Sequence, residues 1–160
     1  MTGINGKIIT IMLLIELFVA ISSQDTITSY CSNCICMALS GCSASSKCTG
    51  TADACGPYHI TKAYWTDAGK PTLNNQSPNE KTAFYNCVKD LGCATLTLDR
   101  YMQNFVKDCN NDSKIDCDDF ISIHVNGPFG CNKQLPSGVE EIYEDCKNKT
   151  VLDYKRKNVH

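Results

Sequence analysis

Apolar residues recur at helical spacing in several short segments of this chain, and polar stretches rich in Gly, Pro, Asn and Ser separate them. The first segment lies between Ser29, a plausible N-cap, and Gly41, a good helix stop, so the pattern predicts a helix there. The further predicted helices lie near Thr61 and over residues 78–92, 95–107, 120–124 and 138–146. Between Cys42 and Pro57 the composition favours loops and short strands. These patterns predict an α+β domain that is dominated by helices and has a small strand and loop region.

The longest apolar run lies at the start of the chain, and it indicates export rather than a core helix. Lys7 precedes the run IITIMLLIELFVAI, and small residues follow at Ala20 and Ser23. This order is typical of a secretory signal peptide, while a membrane span would be longer and would lack Glu16. We therefore expect a signal peptide over 1–22, an N-terminal arm over 23–30, one domain over 31–147 and a tail over 148–160.

Cysteine usage supports a secreted, extracellular protein that is rich in disulfides. All 12 cysteines follow the leader, and an even number in a small secreted domain predicts six bridges whose connectivity stays open. Zinc binding is the alternative, but the histidines lie far away, at positions 59, 124 and 160. The cysteines are Cys31, Cys34, Cys36, Cys42, Cys48, Cys55, Cys87, Cys93, Cys109, Cys117, Cys131 and Cys146.

Charge and short motifs narrow the set of partners. The formal net charge is −2, which argues against electrostatic binding to nucleic acid and against long-range attraction to an anionic surface. No membrane association is expected. Three N-x-S/T sequons predict glycosylation at Asn75, Asn111 and Asn148.

An acidic loop over 108–119 follows the oxygen spacing of a calcium loop. Its predicted ligands are Asp108, Asn110, Asp112, the carbonyl of Lys114, Asp116 and Asp119. Ser113 replaces the usual turn glycine, and flanking cysteines could fix the loop without a cation. A weak structural calcium site and a solvated loop pinned by disulfides remain open alternatives, and no cofactor is required for the function proposed from this sequence.

Four ordered motifs together resemble the invertebrate-type (i-type, destabilase-like) lysozyme family. They are C-x-x-C-I-C-x-x-x-S-G-C from Cys31, C-G-P-Y-x-I from Cys55, A-Y-W-x-D-x-G-K-P from Ala63, and I-H-x-x-G-P-x-G-C from Ile123. The resemblance covers residues 31–146. It implies a lysozyme-like fold with a sugar-binding cleft, hydrolysis of the β-1,4 links of peptidoglycan in antibacterial defence and, in some members, cleavage of isopeptide bonds.

The catalytic positions that the resemblance implies are not occupied by the family's residues. The family's general acid is a Glu just before Ser-Gly-Cys, where this chain has Leu39. The family's second carboxylate corresponds to Thr51, with Asp53 as a weak substitute, and Asp67 is expected to be structural. Loss of a general acid lowers the rate of hydrolysis about 10²–10⁴-fold. The serine and lysine linked to isopeptidase activity are also absent, because residues 51–54 contain no serine and Thr61 stands at the lysine position.

We expect the chain to retain glycan binding although catalysis is impaired, because aromatic faces with polar edges stack on sugar rings. The predicted binding residues are Tyr58, His59, Ile60, Tyr64, Trp65, His124, Asn126 and Gly127. For Tyr64 and Trp65 a place in the core is the alternative, and for His124 a structural role. The sequence thus predicts a lysozyme-like protein with impaired or lost muramidase activity that binds peptidoglycan or other amino-sugar glycans. The alternatives are an active lysozyme with a relocated acid and a non-enzymatic antibacterial or lectin-like protein.

Two further family cysteines are absent, at Ala68 and Thr97. Because both are missing and the remaining count stays even, we expect that one family disulfide has been lost here.

Overall fold

The structure is a computed structural model that describes residues 27–44, 48 and 53–157, with side chains as far as residue 149. The predicted signal peptide, half of the predicted arm (residues 23–26), Thr51 and the last three residues lie outside the described residues. Six helices form within the described part of the chain: α1 (Ser29–Ser40), α2 (Lys62–Asp67), α3 (Ala83–Lys89), α4 (Leu91–Phe105), α5 (Cys117–Asn126) and α6 (Ser137–Lys157). The prediction of a helix-dominated, lysozyme-like α+β fold is confirmed.

Helix α1 forms where the apolar pattern predicted it, but its N-cap is one residue earlier than expected. The Thr28 hydroxyl accepts a hydrogen bond from the backbone N–H of Cys31 at 3.2 Å. At the other end Gly41 adopts a left-handed conformation with φ of 64°, and its N–H returns to the Met37 carbonyl. A glycine tolerates this conformation without a Cβ penalty, so the helix stops there.

The predicted helices over 78–92 and 95–107 both form, but the first covers only Ala83–Lys89 and the break between them lies earlier than predicted, at Asp90. Asp90 adopts an extended conformation, and its carboxylate accepts a hydrogen bond from Cys93 N–H at 2.8 Å. A carboxylate that caps an N-terminus starts a new helix, so Gly92 lies in the first turn of α4 instead of ending α3. The Cys87–Cys93 disulfide spans this junction.

All 12 cysteines form disulfides, as the even count predicted, and the structure supplies the pairing. Cys31–Cys117 and Cys34–Cys146 connect α1 to α5 and α6. The other bridges are local or join loops: Cys36–Cys42, Cys48–Cys55, Cys87–Cys93 and Cys109–Cys131. Helix α1 also packs against α6, so the first and last described helices are joined both by packing and by a disulfide.

Helix α6 extends well beyond the predicted end at 146, into the segment predicted as a tail. Lys147 on this helix forms ion pairs with Asp118 at 2.8 Å and Glu144 at 2.9 Å. The buried Tyr143 donates a 2.6 Å hydrogen bond to Asp118. Burial would raise the pKa of Asp118, but the hydrogen bonds from Lys147 and Tyr143 outweigh it, so its pKa is lowered. This paired cluster fastens α6 to the start of α5.

The expected strand region is reduced to one β-bridge among the described residues, between Cys55 and Ile60. Ala68 and Thr97 are both buried, as the positions of a lost bridge would be, but that loss stays a prediction. Asn75, Asn111 and Asn148 are exposed, and their glycosylation likewise stays a prediction. Within the described residues no helix has the length and apolar character needed to cross a membrane.

Candidate functional site

A tight turn after Cys55 builds one wall of the candidate site. Cys55 and Ile60 exchange two backbone hydrogen bonds of 2.9 Å, which close the loop Gly56-Pro57-Tyr58-His59. Gly56 has φ of 72°, and a Cβ at this position would lie 1.7 Å from the carbonyl oxygen of Val88. Only glycine can therefore combine this backbone conformation with such close contact to α3.

The end of α1 lies against this turn. The Ser40 hydroxyl donates a 2.7 Å hydrogen bond to the Pro57 carbonyl and accepts one from Ser43 N–H at 3.2 Å. This contact fixes the last turn of α1, so that the partly buried Leu39 packs on the core and also lines a cleft. The structure therefore places Leu39 at the end of the first helix and on the wall of a cleft.

His124 connects the turn to α2 through both ring nitrogens. Its Nε2 lies 2.8 Å from the Tyr58 carbonyl oxygen, and its Nδ1 lies 3.0 Å from the Tyr64 hydroxyl. A carbonyl only accepts, so Nε2 carries the proton, and the Tyr64 hydroxyl donates to Nδ1. Burial lowers the pKa of His124 to about 4, although the hydrogen bond to Tyr58 acts in the opposite direction. The ring is therefore neutral near pH 7 and serves as a structural link.

An aromatic stack supports the same wall. The rings of Tyr64 and Tyr101 are parallel within 14° at a centroid distance of 3.6 Å, and Phe105 packs on Tyr101 at 4.5 Å. Burial, together with the nearby Tyr101, raises the pKa of the Tyr64 hydroxyl well above its usual value. The Tyr64 hydroxyl therefore keeps its proton at neutral pH and donates it in the hydrogen bond to the neutral His124 ring.

These elements enclose a cleft of about 380 Å³, open to solvent. Its lining residues are Leu39, Tyr58, His59, Thr61, Ala63, Tyr64, Asp67, Tyr101, His124, Val125 and Gly127. Desolvation lowers the pKa of His59 as well as that of His124, so both are neutral at pH 7. Asp67 is then the charged side chain among these residues, although the sequence assigned it only a structural role. Tyr101 and Val125 also line the cleft, although they are not among the predicted binding residues.

Volume alone does not select this cleft, because hollows of about 560 Å³ lie beside Tyr30 and Lys147 and beside Tyr85 and Lys89. The smaller cleft is distinguished by its lining, since five of the eight predicted binding residues lie on its wall. Its lining residues also come from all three segments that carry the family motifs, namely Leu39, residues 58–67 and residues 124–127.

The remaining predicted binding residues have other positions. Trp65 and Ile60 are 2% and 0% exposed, and the indole N–H of Trp65 donates to the Pro71 carbonyl at 2.8 Å. Including these two side chains among the glycan contacts is therefore corrected, because they are core residues. Asn126 donates to the Lys133 carbonyl at 3.0 Å and supports the loop that follows α5. Asp53 is exposed and is absent from the lining residues.

The acidic loop is organised by its own backbone. Asp108 accepts hydrogen bonds from the N–H groups of Asn111 and Ser113, and Asp112 accepts one from that of Lys114. Asp119 is 1% exposed and accepts from the N–H of Cys109 at 2.7 Å and that of Asp116 at 3.0 Å.

Of the two alternatives that the sequence left open for this loop, these contacts favour a loop held by its own hydrogen bonds over a calcium site. The described residues contain no group of three or more His, Cys, Asp or Glu side chains placed to hold a metal ion. The acids of this loop instead satisfy backbone donors, including a capping box at the start of α5. The carboxylate expected at the last ligand position has both oxygens engaged in this way.

Comparisons with known proteins agree with the motifs and with the fold. The family profile described as Destabilase matches residues 28–146. Invertebrate-type lysozyme 3 of Caenorhabditis elegans is 31% identical over 137 residues, which is 84% of this chain and 94% of that protein. The inhibitor-bound lysozyme of Meretrix lusoria superimposes with a TM-score of 0.55 at 29% identity, covering 67% of this chain and 80% of that one.

A second structure of the Meretrix lusoria lysozyme, in complex with Aeromonas hydrophila PliI, gives a TM-score of 0.55 at 30% identity over the same shares of the two chains. The profile match spans most of the chain, and the relatives align over most of their own length. This chain therefore belongs to the destabilase family of invertebrate-type lysozymes.

Proposed function

We propose that this protein is a secreted, lysozyme-like glycan-binding protein whose muramidase activity is impaired or lost. Its targets are bacterial peptidoglycan or other amino-sugar glycans. The observation that carries the proposal is Leu39, which lies at the end of α1 and lines the cleft. This is the place where the family motif has its general acid.

The chemistry of glycoside hydrolysis explains why this residue matters. One carboxylic acid protonates the leaving oxygen, and a second carboxylate attacks or stabilises the oxocarbenium-like centre. Leucine has no transferable proton. Its neighbours Met37, Ala38, Ser40 and Gly41 have no carboxyl group either, and the Ser40 hydroxyl is already bonded to Pro57.

The position of the family's second carboxylate is not occupied by an acidic residue either. Thr51 stands there by alignment, and it lies outside the described residues. Asp53, the substitute considered from the sequence, is exposed next to the Cys48–Cys55 bridge and away from the cleft lining. Neither residue supplies what Leu39 lacks.

Isopeptide cleavage has equally little support. Thr61, at the family's lysine position, caps α2 by accepting from Tyr64 N–H at 3.2 Å. His124 uses both ring nitrogens in structural hydrogen bonds, so it has no free site with which to activate a nucleophile. We therefore assign His124 a structural role in this protein.

The architecture of the cleft supports retained binding. The lining combines the aromatic rings of Tyr58, Tyr64 and Tyr101 with the polar side chains of His59 and Asp67, and so offers both apolar faces and orienting polar groups. The predicted leader and the six disulfides support secretion, since such bridges persist in oxidising compartments.

The test separates hydrolysis from binding. Loss of turbidity of a bacterial cell-wall suspension measures lysis at several pH values, and pull-down on insoluble peptidoglycan or chitin measures binding. We expect retention on the glycan with negligible lysis. Rapid lysis by the native chain would refute the loss of activity, and failure to bind either polymer would refute the glycan-binding role.

Leu39→Glu is the informative variant for the lysis assay. A carboxyl group at this partly buried position has its pKa raised by desolvation, as a general acid requires. We expect a gain in the rate of lysis of up to about 10²–10⁴-fold if another group supports the transition state. Leu39→Gln is the matched control, because it adds polarity without a transferable proton, and it should show no gain.

A second candidate function, residual hydrolysis by a relocated acid, is favoured by Asp67 in the cleft. If Asp67 performs this role, Asp67→Asn removes any measurable lysis while glycan pull-down persists. If lysis is present and unchanged in Asp67→Asn, the relocated acid is not Asp67.

A further inference from the structure

Phe129 is the most exposed large apolar side chain among the described residues. It is 96% exposed, whereas the other exposed large apolar side chains range from 39% to 50%. Single exposed apolar residues are common on proteins, but they usually rest part of their surface on a neighbour. A phenyl ring that is almost fully hydrated contributes little to folding, so its place is better explained by a contact outside the chain.

The backbone beneath Phe129 is fixed. Gly130 N–H donates to the Gly127 carbonyl at 3.1 Å, which places Pro128 and Phe129 at the centre of a tight turn. A Cβ on Gly130 would approach the backbone oxygen of Asn126 to 2.7 Å, so the turn lies close on the end of α5.

Two further ties hold the loop. The Asn126 amide donates to the Lys133 carbonyl at 3.0 Å, and Cys131 is bonded to Cys109. The backbone that carries the Phe129 ring is therefore constrained, and little backbone entropy is lost when the ring makes a contact.

This part of the backbone lies close to the cleft. Gly127, the first residue of the turn, lines the cleft, and Phe129 follows two residues later. Two residues of chain span at most about 7 Å, so the Cα atom of Phe129 lies close to a residue of the cleft wall.

We propose that Phe129 is an aromatic platform that extends the glycan-binding cleft and stacks on an amino-sugar ring beyond those held inside it. The inference rests on the glycan-binding function proposed above. The C–H face of a pyranose carries partial positive charge that matches the negative face of a phenyl ring, and stacking also removes both surfaces from water. Continuity with the cleft selects a longer glycan as the occupant.

The test is titration calorimetry of the full chain with β-1,4-linked N-acetylglucosamine oligomers from the dimer to the hexamer. The wild-type affinity should rise with oligomer length. Phe129→Ala should weaken hexamer binding about 5–30-fold and change dimer binding much less. Phe129→Trp should retain affinity, whereas Phe129→Leu, which is apolar but lacks a ring, should behave like Phe129→Ala.

Leu91→Ala is the control, because Leu91 is 50% exposed and is not among the cleft lining residues. It should leave every affinity unchanged, and all variants should share the wild-type melting temperature. Sedimentation of the wild type and of Phe129→Ala shows whether the ring instead joins two copies of the chain.

The outcomes are distinguishable. Hexamer affinity equal in Phe129→Ala and wild type overturns the platform while leaving the glycan-binding function intact. Full affinity in Phe129→Leu overturns stacking as the cause. A dimer that dissociates in Phe129→Ala without a change in affinity assigns the ring to self-association and also overturns the proposal. Absence of binding by the wild type to every oligomer and to insoluble peptidoglycan overturns both proposals.

Discussion

The two ends of α1 are held in different ways. The N-terminal part carries Cys31 and Cys34, whose disulfides reach α5 and α6 across sequence separations of 86 and 112 residues. The C-terminal end carries Leu39 and is positioned by a hydrogen bond from Ser40 to the Pro57 carbonyl. One end of the helix is thus joined by disulfides to distant helices, whereas the other carries only the local Cys36–Cys42 bridge and contacts the turn of the cleft through a hydrogen bond.

This difference separates what maintains the fold from what determines the chemistry. The long disulfides preserve the scaffold whatever residue occupies the cleft wall. Leu39 can therefore occupy the place at which the proposed function expects a catalytic Glu, while the helix, the turn after Cys55 and the aromatic stack keep their places. The proposed glycan-binding function depends on this independence, and three experiments can challenge it.

Removal of the longest bridge should have the largest effect. The double variant Cys34→Ala/Cys146→Ala should lose about 4–5 kcal/mol of unfolding free energy, because a bridge that closes a long loop restricts the unfolded chain most. Urea unfolding followed by circular dichroism measures this loss. At a temperature where the variant remains folded, pull-down on peptidoglycan should be unaffected.

The matched control is Cys36→Ala/Cys42→Ala, which removes a bridge with a sequence separation of only 6 residues. The loop-entropy argument predicts a smaller loss of stability for it. Equal losses in the two double variants would show that local packing, and not chain restriction, sets the contribution of the bridges.

Gly56→Ala should have the next largest effect, and it acts on the cleft side. The new Cβ would lie 1.7 Å from the Val88 carbonyl oxygen, and alanine is strained at φ of 72°. We expect a loss of about 2–4 kcal/mol and weaker glycan binding, because the turn that carries Tyr58 and His59 must shift. Thermal unfolding and pull-down measure the two effects.

Gly69→Ala separates strain from steric overlap. Gly69 has φ of 80°, but nothing lies within 4 Å of the position that a Cβ would take there. The Gly69→Ala variant should lose only about 1 kcal/mol of unfolding free energy, and its glycan binding should not change. A loss as large as that of Gly56→Ala would mean that contact with α3 is unimportant for the turn.

Acid should act on the cleft through His124, with the smallest effect of the three. Its pKa in the folded state is about 4, below the ordinary value of 6.5, so the folded chain binds fewer protons than the unfolded chain between these values. Stability is therefore fully present above pH 6.5 and falls as the pH drops towards 4. We expect a loss of about 2 kcal/mol, since the partly exposed ring keeps some hydration.

Unfolding free energies measured at pH 7, 5.5 and 4 test this dependence of stability on pH. The variant His124→Gln should lose most of the dependence. His59 also has a lowered pKa and contributes with the same sign, so His59→Gln is the comparison variant. The lowered pKa of Asp118 acts at more acidic pH, below its ordinary value of 3.8. An unchanged slope in His124→Gln would contradict the assignment of this histidine as the acid-sensitive link.

Much of the fold could be predicted because its signals are local. The run from Ser29 to Gly41 has helical apolar spacing and a glycine stop, and Thr61 supplies a cap for α2. The break between α3 and α4 was predicted a few residues too late, because Gly92 resembles a helix stop whereas the Asp90 cap has already started α4. The acidic loop left two alternatives open for a related reason, since the same Asp and Asn residues that bind calcium also accept hydrogen bonds from nearby backbone donors.

The sequence by itself determined the family, the even set of cysteines, and the absence of a carboxyl group at position 39. These are matters of residue identity and order. The tertiary structure decided which cysteines pair, that Trp65 is buried while Tyr64 lines the cleft, and that Asp67 faces the same space as Leu39. It also decided that Phe129 is exposed, two residues along the chain from the cleft residue Gly127. Such facts depend on contacts between segments far apart in the chain, and local patterns do not encode them.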